Sequence, residues 1–249
     1  YEQVARDEAR MERDLTAARR IQGALLPRLP GPEFGLEIAA RVVSSRELSG
    51  DLYDFLRYGP QELAIALGDV SGKGSAAALY GAVGIGTLRS LAPQKHRPAE
   101  MLRAMNGFLG ERMIEGRFMT LCFATWHRGR RKLRVANAGQ EQPFLFHGGR
   151  CEKIQLVGFP LGIFEEATYD QRSFILNTGD VVVFHSDGIG DTTNPAGEFF
   201  GHDRVCKLIA AHHEGTPDAL ADKILEELDQ FSGGAHPADD RTLVVLKVK

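Results

Sequence analysis

Residues 64–74 read AIALGDVSGKG, an apolar run closed by Asp69 and followed by a short loop carrying Lys73. The fold turns on whether that loop cradles a phosphate or the aspartate holds a metal. A phosphate-binding loop needs GxxxxGK followed by Ser or Thr, but here three residues separate Gly68 from Gly72 and Gly74 follows the lysine. A dinucleotide fingerprint fails too, because its third glycine is missing. What remains is a strand over 63–70, apolar enough for the middle of a sheet. Its closing carboxylate then sits at the rim of a core, where an unpaired charge is costly.

The same arrangement recurs in VVVFHSDG, residues 181–188, where Asp187 follows another apolar strand and precedes a glycine. Two more acidic places lie in ELSGDLYD, with Asp51, and in HPADDRTLVV, with Asp239 and Asp240 ahead of a last strand. A single aspartate beside a glycine is usually a turn residue. Four together, two of them closing apolar strands, call for a cation. If Asp51, Asp69, Asp187 and Asp239 converge, about four negative charges need about two divalent ions, and oxygen ligands alone select Mg²⁺ or Mn²⁺. Two such ions about 3.5–4 Å apart activate a water against a phosphoryl group. Adjacent acids leave Asp239 and Asp240 both open as ligands.

Outward from these strands, the chain mixes short β runs with helical blocks. Strands are expected at 36–43, 63–70, 118–127, 132–139, 143–148, 171–176, 181–187 and 242–249, and helices at 75–92, 98–114, 203–213 and 217–231. Pro98 opens the second of those helices. Because strands and helices cluster instead of alternating, the pattern predicts an α+β layered fold, with antiparallel sheets inside and paired helices outside. Residues 1–30 form a separate linker unit ahead of a domain over 31–249: a helix with Val4, Met11, Leu15, Ala18, Gln22 and Leu25 on one stripe, broken by PRLPGPEFG. That stripe either pairs with a second copy or packs on its own domain. The uncapped start suggests a chain that continues upstream.

Composition excludes several classes. With 30 basic and 33 acidic residues in 249, there is no basic face for nucleic acid and no polybasic anchor for a membrane. Three cysteines, Cys122, Cys151 and Cys206, lack CxxC spacing and read as separate core thiols in a reducing, cytoplasmic setting. Lys73 is expected to lean into solvent, His185 to be half-buried in its strand, and His212, His213 and His236 to lie on the surface. Trp126 and the 14 phenylalanines read as core.

The ordered set of motifs resembles the metal-dependent protein phosphatases of type 2C, in the bacterial stage-II-sporulation-E-like branch. It comprises IQGALLP (21–27), SGDLYD (49–54), GDVSGKGSAAAL (68–79), ANAGQEQPFLF (136–146), GFPLGI (158–163), LNTGDVVVFHSDGIGD (176–191), FFG (199–201) and ADDRTLVVLK (238–247). The resemblance implies two stacked antiparallel sheets flanked by helix pairs, with metals at one end. It implies that Asp51 and Asp69 bind one Mn²⁺ or Mg²⁺, that Asp69 bridges to a second, and that Asp187 and Asp239 complete that second site. The Val70 carbonyl is a further ligand and Asp240 a reserve. It also implies a serine/threonine phosphatase acting on a phosphorylated anti-sigma-factor antagonist; the seam of the N-terminal helix, for its part, suggests a homodimer with Leu15 and Leu25 at the contact. Ser71 stands where eukaryotic relatives carry a histidine, Arg46 stands at the offset of their phosphate-gripping arginine, and Gln140 replaces the branch's histidine after Asn-Ala-Gly. The competing readings are a catalytically weak module that binds an anti-sigma factor or its antagonist, and a small-molecule phosphohydrolase.

Overall fold

A computed structural model describes residues 2–111, 114 and 116–249. In chain order these form α1 (Glu2–Leu25), β1 (Leu36–Val43), β2 (Leu52–Arg57), β3 (Glu62–Val70), α2 (Ser75–Leu91), α3 (Pro98–Gly110), β4 (Met119–His127), β5 (Lys132–Ala138), β6 (Phe144–His147), β7 (Arg150–Lys153), β8 (Gln171–Ile175), β9 (Val181–His185), α4 (Asp187–Gly190), α5 (Gly201–His212), α6 (Pro217–Phe231) and β10 (Arg241–Val248).

The strands form two antiparallel five-stranded sheets, β1-β10-β9-β6-β7 and β2-β3-β4-β5-β8. Alternation along each strand assigns its two faces. On β3, Ile65 and Leu67 enter the core between the sheets with Trp126, Phe184, Val244 and Leu246. Ala64, Ala66 and Val70 face the other way, against α2 and α3. On the opposite sheet, Val181, Val183, Leu243 and Val245 meet α5 and α6. Small alanines on the outer face of β3 let the helices approach closely, while the large side chains fill the inter-sheet layer. Trp126 is fully buried, its indole N–H donating to the Phe34 carbonyl oxygen at 2.9 Å. The expected sandwich flanked by helix pairs is borne out. Among the described residues, no helix is long and apolar enough to cross a membrane.

Several local expectations need correction. Asp69 does not follow its strand; it lies inside β3, opposite Thr120 of β4. Asp187 is not the end of β9 but the first residue of α4, with Ser186 as the capping position. Strands β2 and β7 are additions, one embedded in the acidic motif and the other formed by only four residues. The helix expected over 98–114 is observed as α3, ending at Gly110, and its expected last turn falls partly outside the described residues. Cys151 of β7 and Cys206 of α5 are joined as a disulfide, whereas Cys122 stays a buried free thiol. Folding brings their Cα atoms to 5.5 Å across a separation of 55 residues, a juxtaposition that sequence spacing could not show.

Candidate metal centre

The acidic residues gather where the two sheets meet at one end, and Asp240 organises the place. Its carboxylate accepts from the Ser45 backbone N–H at 2.7 Å and the Ser45 hydroxyl at 2.9 Å on one oxygen, and from the Ser49 hydroxyl at 2.7 Å and the Gly50 N–H at 2.8 Å on the other. All four donors belong to the loop that leads into β2, so a residue just ahead of β10 fixes the approach to Asp51. The Asp51 N–H donates to the Ser49 hydroxyl oxygen at 3.1 Å, and Thr242 Oγ1 donates to Asp51 Oδ2 at 2.6 Å. With two donors on each of its oxygens, Asp240 is placed as a strut for this loop.

A second support comes from α1. Gln22 makes a paired contact with Ser49, its amide nitrogen donating to the Ser49 carbonyl at 2.7 Å and its amide oxygen accepting from the Ser49 N–H at 3.1 Å. Its neighbour Leu25 faces α2 across an apolar groove that also touches Asp51. The C-terminal half of the expected dimer stripe thus borders its own domain, yet Leu25 stays 37% exposed, and Val4 and Met11 are exposed further along.

The remaining carboxylates follow in a row. Burial raises Asp51 well above the ordinary range, and the charge of Asp69 adds to it. Burial, then the charge of Asp187, pushes Asp69 up to about 7. Desolvation and then the charge of Asp239 raise Asp187. Each acid thus feels the next, from Asp51 through Asp69 and Asp187 to Asp239. Gly50 keeps this row open: a Cβ there would lie 2.9 Å from Asp69 Oδ1 and 3.2 Å from the Val70 carbonyl oxygen. Gly188 does the same on the far side, where a Cβ would collide with the Asp240 carbonyl oxygen.

Cations do little to relieve the row. Lys73, expected in solvent, instead pairs with Asp239 Oδ2 at 2.9 Å and donates to the Ala238 carbonyl oxygen at 2.9 Å. Arg241 is committed to Asp229 at 2.7 Å and Arg89 to Asp54 at 2.7 Å. The structure therefore brings Asp51, Asp69, Asp187, Asp239 and the Val70 carbonyl to one rim and sets Asp240 behind it. An oxygen-only donor set of this charge suits hard divalent cations such as Mg²⁺ or Mn²⁺, which keep water in their shells.

Other expected residues have different duties. The Ser71 hydroxyl donates to the Gly116 carbonyl oxygen and accepts from the Phe118 N–H, at 3.3 and 2.9 Å, and so braces the loop. Arg46 is exposed. Gln140 is buried, accepting from the Thr120 hydroxyl and donating to the His185 carbonyl oxygen at 3.3 Å, and so ties β4, β5 and β9 together. His185 is 1% exposed, not half-buried, because its side of β9 lies under α5, and burial pushes it down to about 4. His212 and His236 are exposed, whereas His213 stacks on Phe146. Sequence reasoning passed over Gln22, Glu141 and His202, and no spacing signals their contacts with distant segments.

The fold and the acidic rim define a protein phosphatase of the PP2C class. Sequence comparison carries this one step further: the chain belongs to the stage II sporulation protein E (SpoIIE) family, whose model matches residues 59–249. It is 27% identical over 238 residues to the phosphoserine phosphatase RsbU of Bacillus subtilis, covering 95% of this chain and 70% of that protein. Among solved structures, the SiaA-PP2C domain of Pseudomonas aeruginosa superposes with a TM-score of 0.83, at 19% identity over 98% of this chain and 99% of that one. The RsbU and RsbW domains of Rv1364c from Mycobacterium tuberculosis give a TM-score of 0.74 at 26% identity, covering 86% of this chain and 60% of that one.

Proposed function

We propose that this chain is a Mn²⁺- or Mg²⁺-dependent phosphatase that hydrolyses phosphoserine or phosphothreonine on a protein, the substrate being a phosphorylated anti-sigma-factor antagonist in bacterial partner switching, in the cytoplasm. The observation that carries the reading is the row of crowded aspartates, in which Asp51, Asp69 and Asp187 are each raised by burial and by the charge of the next acid along, with a lysine at the far end. In this reading Asp51, Asp69 and the Val70 carbonyl hold one ion, and Asp69, Asp187 and Asp239 hold the other. When bound, such an ion pair supplies a water deprotonated near neutral pH and neutralises phosphate oxygens. The chain's own part is to hold these carboxylates in register, with Asp240, Thr242 and Gln22 fixing the Asp51 side. The RsbU relative, named a phosphoserine phosphatase, and the structure pairing RsbU with RsbW domains support the substrate class.

The test is turnover of p-nitrophenyl phosphate and of a phosphoserine protein with Mn²⁺ or Mg²⁺, against Asp187→Asn. Turnover by the wild type alone is expected. Absence of turnover with either ion would favour the binding-module reading. Residues 1–30 act in this proposal as a linker that joins two copies of the 31–249 domain, with Leu15 and Leu25 at the contact. Light scattering of a Leu15→Glu, Leu25→Glu variant should show a monomer, and a retained dimer would remove that part.

A further inference from the structure

Beyond the aspartate row, a second cluster of metal-ligating groups lies under α5. Glu141 from the loop after β5, His185 at the end of β9 and His202 in the first turn of α5 each place one donor atom within 4.8 Å of the others. Among the described residues, no group of three within the aspartate row draws this close. His202 Nε2 already lies 3.0 Å from Glu141 Oε2. The His185 ring stacks on Phe144 at 4.8 Å between centroids.

The surroundings of that buried ring point to a ligand. His185 Nδ1 lies 3.1 Å from the Ser186 carbonyl oxygen and Nε2 lies 3.1 Å from the Gln142 carbonyl oxygen. Both neighbours are acceptors, and a neutral imidazole has one N–H to give. Whichever nitrogen keeps the proton, the other directs a lone pair at an oxygen. Histidines that bind metals usually donate their second ring N–H to a carbonyl or carboxylate, the role open to Ser186 here. Nε2 is then the bare nitrogen, on the side of the Glu141–Gln142 loop.

We propose that Glu141, His185 Nε2 and His202 Nε2 form a site for one borderline transition-metal ion of the Zn²⁺ type, with the Gln142 carbonyl oxygen beside it. Two imidazoles and a carboxylate favour such an ion over Mg²⁺, whose preference is for oxygen. Lys153, 3.4 Å from Glu141 Oε2, is the resident competitor for the carboxylate. Binding would pin the first turn of α5 to the strand that leads into Asp187, so zinc would act on the rim from behind.

The test is a Zn²⁺ titration of the full chain by calorimetry in excess Mg²⁺, with X-ray absorption at the zinc edge. It needs no turnover, so it stands or falls separately from the phosphatase reading. One tightly held Zn²⁺ is expected, with mixed nitrogen and oxygen ligands at about 2.0–2.2 Å. His202→Ala and Glu141→Gln should each weaken binding, the histidine variant by about 100-fold or more. The exposed His212→Ala should bind as the wild type does, and circular dichroism should show each variant folded. Equal zinc affinity in folded His202→Ala and wild type, an all-oxygen shell, or no zinc held against Mg²⁺ would each overturn the proposal.

Discussion

Asp51 and Asp239 stand at opposite ends of one acidic row and are held in opposite ways. Asp51 is 8% exposed, takes a hydrogen bond from Thr242, and sits on a loop that Asp240 grips through four donors. The Asp239 side chain is 46% exposed and is restrained by Lys73 and by the N–H of its own neighbour, Asp240. One side is built before anything binds; the other is left for solvent and ligand to complete. Preorganisation at the buried side stores electrostatic strain, because its carboxylates are crowded without a matching cation.

The hardest blow to this contrast is Asp69→Asn, since Asp69 lies between the two ends. Phosphatase turnover should fall by about 10³-fold or more, read as kcat at saturating Mn²⁺. Next is the pair Asp240→Ala and Asp239→Ala, measured by urea unfolding without metal. Asp240→Ala strands buried donors and should cost about 3–5 kcal/mol, whereas Asp239→Ala should leave metal-free stability unchanged or raised while weakening metal binding. Equal costs would erase the difference between the ends.

The third effect is one of pH. Folding raises Asp69 from 3.8 to about 7, so the proton is favoured in the folded state. Its contribution to stability is complete below about pH 4 and lost as pH rises through about 7. In chelator, the stability of the wild type relative to Asp69→Asn should therefore decline across that window, and metal affinity should climb across it. A flat difference would show that the row is relieved by something other than a proton or an ion. The smallest effects come from the supports at each end. Gln22→Ala should cost about 1 kcal/mol in thermal or urea unfolding. Lys73→Met should raise metal affinity by at most about fivefold in a calorimetric titration, because an exposed ion pair is worth about 1 kcal/mol or less.

Much of the framework could be read before folding was considered. The apolar runs at 63–70 and 181–187 and the aspartates beside them carried both the sheets and the rim, since alternation and burial are local properties. What stayed hidden was long-range. Nothing near Asp240 announces that its oxygens serve Ser45, Ser49 and Gly50, and nothing near Gln22 announces Ser49. Lys73 looked like a surface residue until the loop placed it against Asp239. His202, Glu141 and the Cys151–Cys206 pair likewise depend on which helix crosses which strand. Strand β7 was lost because RCEK has none of the apolar residues that marked its four-residue neighbour β6, FLFH.

The grip of Asp240 on residues 45–50 spans 190 or more positions in the chain. During synthesis the pocket cannot close until the last strand has left the ribosome, however early the first sheet has formed. In the proposed phosphatase reading, a nascent chain would therefore stay silent until that strand is made, and proteolytic clipping ahead of it would silence a finished molecule at one stroke.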